Sequence, residues 1–375
     1  MSTVLVTGGA GFVGHAVLRL LLDRADEVVV YDNLSTAESD WDRPFALERS
    51  TGRLRFVEAD ILDLDRLTAS MEGVDQVVHL AANTDIAGGF ADPRLDLEGC
   101  IVGTWNVAEA MRRTGANRIL YASSGVVYGT PATVPTPESS GPLLPASHYA
   151  AGKLAGEAIL SGFAHLYGWR ALAFRFGNTV GPRSNHGVVH DFVVKLLRDP
   201  RCLEILGDGR QAKPYVAVDD VAAAMLLADA AAPGPFAVYN VATEGTLSVD
   251  RVADLVATAL DIDPADLERR HTGAVGGWNG DTPLVDFDTS ALRALGWRPR
   301  WTAEQAVLRA ATGTRLRVLA RATPLVTAVE RRARHGPSRT QPAGRDAGEH
   351  VINRLPPVLT GWQRQRIPRL CSDDQ

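Results

Sequence analysis

A short apolar strand that runs directly into a glycine-rich turn constrains the fold of this chain more than any other feature. The strand covers residues 3–6, and the turn 7–14 reads Thr-Gly-Gly-Ala-Gly-Phe-Val-Gly. Gly8 permits the tight turn, Gly11 lets backbone N–H groups approach a pyrophosphate, and Gly14 lets the next helix pack closely on the strand. The N-terminus of that helix adds partial positive charge. The pattern therefore predicts a turn that binds a dinucleotide.

An acidic residue about twenty positions after the glycines indicates which dinucleotide. The predicted helix 13–22 is followed by a second apolar strand, 27–31, and then by Asp32. A carboxylate at this place can accept hydrogen bonds from the adenosine ribose and would repel a 2′-phosphate, so NAD is favoured over NADP. The alternative is that Asp32 and Asn33 only begin a surface turn.

Strands and helices alternate through the first half of the chain. Further strands are predicted at 54–61, 74–82 and 118–124, with a helical pattern over 96–113. Such alternation predicts an α/β fold of the Rossmann type, a doubly wound parallel sheet that binds ligands at the carboxyl ends of its strands. Asp60 would then lie beside the adenine.

The pattern loosens after residue 178, which suggests a division of the chain. We expect an NAD-binding domain over 1–178 that is completed by about 216–243, a smaller substrate domain over 179–313, and an arginine-rich, flexible tail over 314–375. The tail also contains a predicted helix at 315–334, followed by segments rich in glycine and proline.

Composition excludes several classes of function. The net charge of −5 argues against a nucleic-acid partner, and no apolar run approaches the length of a membrane span. Cys100, Cys202 and Cys371 are far apart, so neither a disulfide framework nor a metal site is indicated. Since the chain begins directly with a strand and no signal-like segment, the expected location is cytoplasmic.

A tyrosine and a lysine four residues apart form the core of a candidate catalytic site. Tyr149 and Lys153 would lie on one face of a helix. A neighbouring ammonium favours the phenolate, which could then take a proton from an alcohol. Ser124, at the end of a strand, could donate a hydrogen bond to a substrate oxygen. The alternatives are an exposed tyrosine and lysine, and a serine that only satisfies the backbone.

These segments and several later ones, in the same order, resemble the extended short-chain dehydrogenase/reductase family of nucleotide-sugar epimerases and dehydratases. The resemblance extends to about residue 310 and implies a homodimer formed through two helices of each subunit. The segments that carry it are 7–14, 79–82, 123–129, 149–153, 175–183, 207–211, 218–221 and 295–299.

The residue patterns and the resemblance together give two sets of candidate binding residues. The cofactor set is Gly8, Gly11, Phe12, Val13, Gly14, Asp32, Asn33, Asp60, Ile61, Leu80, Ala81, Ala82, Tyr149 and Lys153. The substrate set, for a sugar nucleotide, is Ser124, Asn178, Val188, Lys213, Tyr215 and Asp281.

The residues after Ser124 bear on the reaction. The family's 4,6-dehydratases carry an acidic pair there, whereas this chain has Gly125 and Val126. Neither residue can act as an acid or a base, so the resemblance favours a 4-epimerase that oxidises a sugar hydroxyl transiently. A reductase, a dehydratase and a non-catalytic NAD-binding sensor or scaffold remain as alternatives. The sugar, its nucleotide and the carbon that reacts are open, because Cys100 and Lys213 differ from the usual family residues and the segment 277–281 lacks the usual arginine.

Overall fold

A parallel sheet of seven strands organises the structure, which is a computed structural model that describes residues 2–273 and 285–334, the last thirteen of them by their backbone alone. The strands are β1 (Thr3–Thr7), β2 (Glu27–Asp32), β3 (Leu54–Glu58), β4 (Gln76–His79), β5 (Arg118–Ser124), β6 (Arg170–Phe176), β7 (Asn178–Val180), β8 (Cys202–Ile205), β9 (Ala212–Lys213), β10 (Tyr215–Ala217), β11 (Phe236–Val241), β12 (Leu247–Ser248) and β13 (Glu268–His271).

Helices cover both faces of this sheet and build a second layer beyond it. They are α1 (Phe12–Leu21), α2 (Ala46–Ser50), α3 (Leu64–Ser70), α4 (Ile86–Ala91), α5 (Arg94–Asp96), α6 (Gly103–Thr114), α7 (His148–Tyr167), α8 (Val188–Arg198), α9 (Val218–Ala231), α10 (Val249–Ala259), α11 (Ser290–Ala294) and α12 (Ala303–Arg334). Among the described residues, no helix is both long and apolar enough to cross a membrane.

The strand order of the sheet is β11-β6-β5-β4-β1-β2-β3, with every pair parallel. The predicted Rossmann-type α/β fold is thereby confirmed. Thr7, His79 and Tyr121 are in register on neighbouring strands, so β1, β4 and β5 end at one edge of the sheet. This edge is where a doubly wound sheet binds its ligands.

The central strands are apolar without interruption because both faces of the sheet are buried. Val4 and Val6 point into the hydrophobic cluster that includes α1 and α9. Leu5, between them, points into the opposite cluster with α3, α6 and α7. The sheet is therefore held from both sides, and its ligand-binding edge is fixed by two cores.

A third hydrophobic cluster lies outside the sheet and supports the substrate side. It is formed mainly by α8, α10 and the first part of α12, together with β8 and β10. The helix α12 continues without a break through Thr314, which is 3 % exposed. The described part of the predicted tail is thus helical and begins inside this packed layer.

The predicted helix over 96–113 is interrupted in the structure. A π-helical turn, Leu97–Val102, lies between α5 and α6. Gly99 packs closely on the backbone of Asn83, and Gly103 packs on the side chain of Ile61. These close approaches tie the widened turn to the loops after β3 and β4, a long-range contact that helical periodicity cannot predict.

Candidate active site

The glycine-rich turn has a geometry that only glycine can adopt at two of its positions. Gly8 has a φ of +69°, and a Cβ there would lie 2.6 Å from the backbone nitrogen of Ala81. A Cβ on Gly14 would lie 2.4 Å from the carbonyl oxygen of Gly9. Both contacts are far closer than van der Waals separation, so the two glycines let β1, β4 and α1 approach each other.

The N-terminus of α1 faces this turn with unpaired backbone donors. Gly11 is the N-cap, and no side chain caps the helix there. The first N–H groups of a helix have no intrahelical partner, and they carry the positive end of the helix dipole. Phe12, Val13 and Gly14 supply these donors. The arrangement suits the pyrophosphate of a dinucleotide.

Asp32 is fixed at the end of β2 by the backbone around it. Its Oδ2 accepts a hydrogen bond from the N–H of Ala10 (3.0 Å), and its Oδ1 accepts one from the N–H of Leu34 (2.8 Å). Burial raises the pKa of the carboxyl, and these two hydrogen bonds oppose the shift. Since each carboxylate oxygen has a second lone pair, Asp32 can still accept the two ribose hydroxyls.

The other candidate cofactor residues lie close to this turn. Asn33 donates to Asp60 Oδ2 (2.8 Å), which joins the ends of β2 and β3. Ala81 N–H donates to Thr7 Oγ1 (3.3 Å) directly beside Gly8. Leu80, Ala82 and the largely buried Ile61 adjoin these residues in the chain. The donors, the small side chains and the carboxylate together fit NAD.

Lys153 and Tyr149 meet near the end of β5, as their spacing predicts. Lys153 is 3 % exposed, and its Nζ donates to the carbonyl oxygen of Ala122 (2.7 Å). The same Nζ lies 5.8 Å from the centre of the Tyr149 ring. The Ser124 side chain lies close enough to the Tyr149 hydroxyl to lower its pKa. The structure therefore brings the three candidate catalytic residues together.

The electrostatics of the pair differ from the sequence-based expectation. Burial raises the pKa of Tyr149 well above its usual value, and the Ser124 side chain only partly opposes this. Burial also lowers the pKa of Lys153. The expectation that the ammonium lowers the pKa of the phenol is therefore not met in the protein alone, because removal of the phenol from water is the largest cause of the shift and the neighbouring Cys100 also raises this pKa.

Close packing of α7 explains why small residues separate Tyr149 and Lys153. A Cβ on Gly152 would lie 2.7 Å from Cβ of Cys100 in the π-helical turn, and one on Gly156 would lie 2.2 Å from the hydroxyl of Tyr121. Gly152 therefore leaves room for the π-helical turn, and Cys100 is buried behind the catalytic pair.

A buried ion pair under the site was missed in the sequence analysis. Arg175 on β6 donates to Glu157 on α7 through Nε (2.9 Å) and Nη2 (2.7 Å), and the Ser123 hydroxyl donates to Glu157 Oε1 (2.5 Å). All three side chains are buried. The pair joins the residue before Ser124 to the helical turn after Lys153. The one sequence feature that could have indicated this ion pair is Glu157, an acidic residue four positions after Lys153 on the same helix.

Phe287 is a second residue that the sequence did not indicate. Its ring covers Gly125 so closely that a Cβ there would lie 2.0 Å from Phe287 Cζ. The ring also lies 5.7 Å from that of Tyr128. Phe287 is separated from Gly125 by more than 160 residues, so no local pattern could have revealed the contact.

The candidate substrate residues lie at different depths. Asn178 is exposed at the start of β7 and is in register with Tyr215, which is 1 % exposed and packs in the third cluster. Lys213 lies in β9, opposite Leu247. Val188 is the first residue of α8. Asp281 and the segment 277–281 lie outside the described residues.

Within residues 2–273 and 285–334, no group of three histidine, cysteine or acidic side chains is arranged to hold a metal ion. The donors at this edge of the sheet are backbone N–H groups, hydroxyls and one ammonium. This donor set suits an anionic, hydroxyl-bearing ligand.

Comparison with known proteins identifies the family. Residues 4–242 match the family model "NAD dependent epimerase/dehydratase family". A UDP-glucose 4-epimerase of Mycolicibacterium smegmatis is 35 % identical over 303 residues, which cover 79 % of this chain and 93 % of that protein. The confirmed predictions are thus the extended short-chain dehydrogenase/reductase type and NAD as cofactor.

Solved structures of two enzyme types are similar to this chain. A UDP-glucose 4-epimerase from Thermotoga maritima with UDP-glucose has a TM-score of 0.74 at 30 % identity, covering 84 % of this chain and 99 % of that one. A dTDP-glucose 4,6-dehydratase from Streptomyces venezuelae, solved with NAD, also has a TM-score of 0.74, at 28 % identity, with 84 % and 97 % covered. By its sequence match, its sheet and its glycine-rich turn, the chain belongs to the NAD-dependent epimerase/dehydratase family.

Proposed function

We propose that this protein is a nucleotide-sugar 4-epimerase. The observation that carries the proposal is the contact between Gly125 and Phe287 beside an intact set of Ser124, Tyr149 and Lys153. The set supports removal of a proton from a sugar hydroxyl. The covered glycine leaves no place for the extra acid that elimination of water would need.

The chain's own residues account for the movement of the proton. Tyr149, as phenolate, would take the proton of the C4 hydroxyl when the sugar is oxidised, and would return it when the keto-sugar, turned to its other face, is reduced. Ser124 holds the sugar oxygen by a hydrogen bond, and Lys153 stabilises the phenolate. Bound NAD supplies the hydride acceptor and a positive nicotinamide, which helps to lower the pKa of the phenol.

Overall similarity does not separate epimerase from dehydratase, because the two solved structures above are equally similar in fold. The local contact at residue 125 therefore has more weight than the global likeness. A carboxylate side chain at 125 would occupy the place of the Phe287 ring, and Val126 has no ionisable group. The residues at positions 125 and 126 therefore favour hydride transfer alone over elimination of water.

The first substrates to test are UDP-linked sugars, since the curated relatives at 30 % identity or more include three UDP-glucose 4-epimerases, one of them putative, and a UDP-glucuronate 4-epimerase of Arabidopsis thaliana. Purified protein incubated with UDP-glucose should form UDP-galactose, which proton NMR distinguishes by the coupling at C4. Other nucleotide sugars in the same panel test the base and the sugar. Failure to convert any member, in protein that retains NAD, would contradict the proposal.

We also propose that two chains associate through the helices on one side of the sheet. Large apolar side chains are exposed there: Phe90, Leu97 and Trp105 before and within α6, and Leu166 and Tyr167 at the end of α7 are each at least 49 % exposed. Trp105 and Tyr167 both contact the ring of Phe163, so α6 and α7 form a continuous surface. Light scattering should give the mass of a dimer, and Trp105→Glu should give that of a monomer.

A further inference from the structure

The middle of α12 contacts a segment of the cofactor-binding sheet. Arg317 and Arg321 lie one turn apart on this helix and both pair with Glu38, which follows β2 in the chain; the Arg321 bond to Oε1 is 2.5 Å. Arg183, from the loop after β7, donates to Glu38 Oε2 (2.8 Å). The Glu38 side chain is only 12 % exposed. One carboxylate therefore joins three separate segments.

The segment that carries Glu38 begins at the candidate ribose ligand. Asp32 accepts the N–H of Leu34, and Leu34 has a φ of +60°, a left-handed conformation that is unfavourable for a leucine. A backbone in this conformation persists only where its surroundings hold it. The loop, residues 33–38, is held by the packing of Leu34 and Ala37 on the first hydrophobic cluster, by the bond from Asn33 to Asp60, by Glu38 with its arginines, and by the bond from Asn185 to the carbonyl of Thr36 (3.3 Å).

The same helix also secures the loop on the other side of the glycine-rich turn. Arg317 Nη1 donates to the carbonyl oxygen of Pro182 (3.1 Å). Gly313 packs on the Pro182 ring, where a Cβ would lie 2.3 Å from Pro182 Cβ. The next residue inward, Gly181, lies against the ring of Phe12 at the start of α1. Both loops that flank the candidate pyrophosphate site are thus attached to α12.

The charges make Glu38 necessary for this arrangement. Burial and the neighbouring Arg321 lower the pKa of Arg317 to about 10, and burial is also the largest cause that lowers the pKa of Arg183. Arginine side chains stay charged at neutral pH, and Arg321 repels both Arg317 and Arg183. Asp40, 3.9 Å from Arg183, is a further carboxylate at the rim. Glu38 lies between the arginines and offsets their repulsion.

We propose that Glu38, Arg317 and Arg321 form a strap that fixes the loop 33–38 and thereby keeps NAD bound between turnovers. The three are positioning residues: they act through the loop that starts at Asp32 and not on the sugar. The strap uses a part of α12 that lies beyond the third hydrophobic cluster. The proposal rests on the cofactor of the family and is independent of which sugar reacts.

The test is the rate at which full-length protein loaded with adenine-labelled NAD releases the label into an excess of unlabelled NAD. The variant Arg317→Ala/Arg321→Ala should release it about tenfold faster, because each partly exposed ion pair contributes a factor of about three. Arg315→Ala is the matched control. Arg315 lies on the same helix but pairs with Asp261 (2.7 Å) and the carbonyl of Ala259 (3.0 Å), away from the cofactor loops.

A second readout separates the strap from a general loosening of the helix. Hydrogen exchange of the amides in 33–38 should accelerate in the double variant and stay unchanged in Arg315→Ala. In protein that already carries Glu38→Gln, the double arginine substitution should raise the release rate by less than about twofold. The reason is that the arginines act through Glu38. If the double variant does not fold, Arg321→Ala, whose side chain is 51 % exposed, should still give about threefold.

Two results would overturn the strap. One is release and exchange at the wild-type rate in the arginine variants. The other is equal acceleration by Arg315→Ala, which would show that any weakening of α12 has the same effect. Loss of epimerase activity without faster release of NAD would bear on the proposed reaction only, so the two proposals can fail separately.

Discussion

The cofactor half and the substrate half of the cleft are built in different ways. The cofactor half consists largely of backbone. It comprises a turn in which a Cβ added to Gly8 or Gly14 would lie only 2.4–2.6 Å from neighbouring backbone atoms, the free end of α1, and the Asp32 carboxylate held by two N–H groups. The substrate half consists of side chains from distant segments, such as the Phe287 ring over Gly125 and the hydroxyl of Ser124 on Tyr149. Changes in one half should therefore leave the other working.

This difference has a physical basis. Every member of the family must hold the same pyrophosphate and ribose, for which backbone donors at fixed positions are sufficient. Choice of sugar and reaction requires side chains that can change without loss of the fold. The ion pair of Arg175 and Glu157 lies next to the catalytic residues, where with Ser123 it ties β5, β6 and α7 together.

The largest effect should come from Tyr149→Phe, which removes the proposed base and no packing. We expect turnover to fall by about 10²–10⁴-fold, the usual contribution of a general base, while NAD binding stays nearly unchanged. Tyr239→Phe, in β11 and packed on Phe174, lies outside the proposed site and is the control that should be neutral. Near-normal turnover by Tyr149→Phe would contradict the assignment of Tyr149 as the base, and with it the separation of proton transfer from NAD binding.

Arg175→Met should destabilise both halves together. It leaves the buried carboxylate of Glu157 without its cationic partner and with only the Ser123 hydroxyl as donor, which costs about 3–5 kcal/mol of unfolding free energy. Replacing both members, as Arg175→Met/Glu157→Leu, should cost much less because no buried charge remains. Urea unfolding followed by circular dichroism measures both. If the single and double variants lose equal stability, the pair is not the link described here.

Gly14→Ala should damage the cofactor half alone. The added Cβ would lie 2.4 Å from the carbonyl oxygen of Gly9, so we expect a loss of about 1–3 kcal/mol of stability and weaker NAD binding in calorimetry. Gly162→Ala is the matched control, since nothing lies within 4 Å of that position on α7. It should stabilise the protein by about 0.5–1 kcal/mol. Equal effects at both glycines would contradict the close approach of α1 to the turn.

Asp32→Asn should give the smallest effect and refine the account of the cofactor half. The amide keeps one oxygen acceptor but loses the charge, so NAD should bind about tenfold more weakly. Discrimination against NADP should fall as well, because the repulsion of the 2′-phosphate is lost. Calorimetry with both cofactors measures this. An unchanged preference for NAD over NADP would show that a group other than Asp32 recognises the ribose.

The sequence was informative where the structure depends on local spacing. The glycines at 8, 11 and 14, Asp32 about twenty residues later, and Tyr149 with Lys153 one helical turn away each follow from short patterns, and the fold follows from alternation of strands and helices. Long-range packing could not be read in this way. Phe287 over Gly125, the π-helical turn against α7, and Glu38 with the arginines of α12 depend on segments that only the fold brings together.

The transfer of the C4 hydrogen tests the central claim most directly. UDP-glucose deuterated at C4, converted in ordinary water, should give UDP-galactose that keeps its deuterium at C4, with no net change in absorbance at 340 nm. The same reaction of unlabelled substrate in heavy water should place no deuterium on carbon. Deuterium entering C5 together with loss of the C6 hydroxyl would instead identify a dehydratase, and stoichiometric consumption of NADH would identify a reductase; either result would contradict the epimerase account.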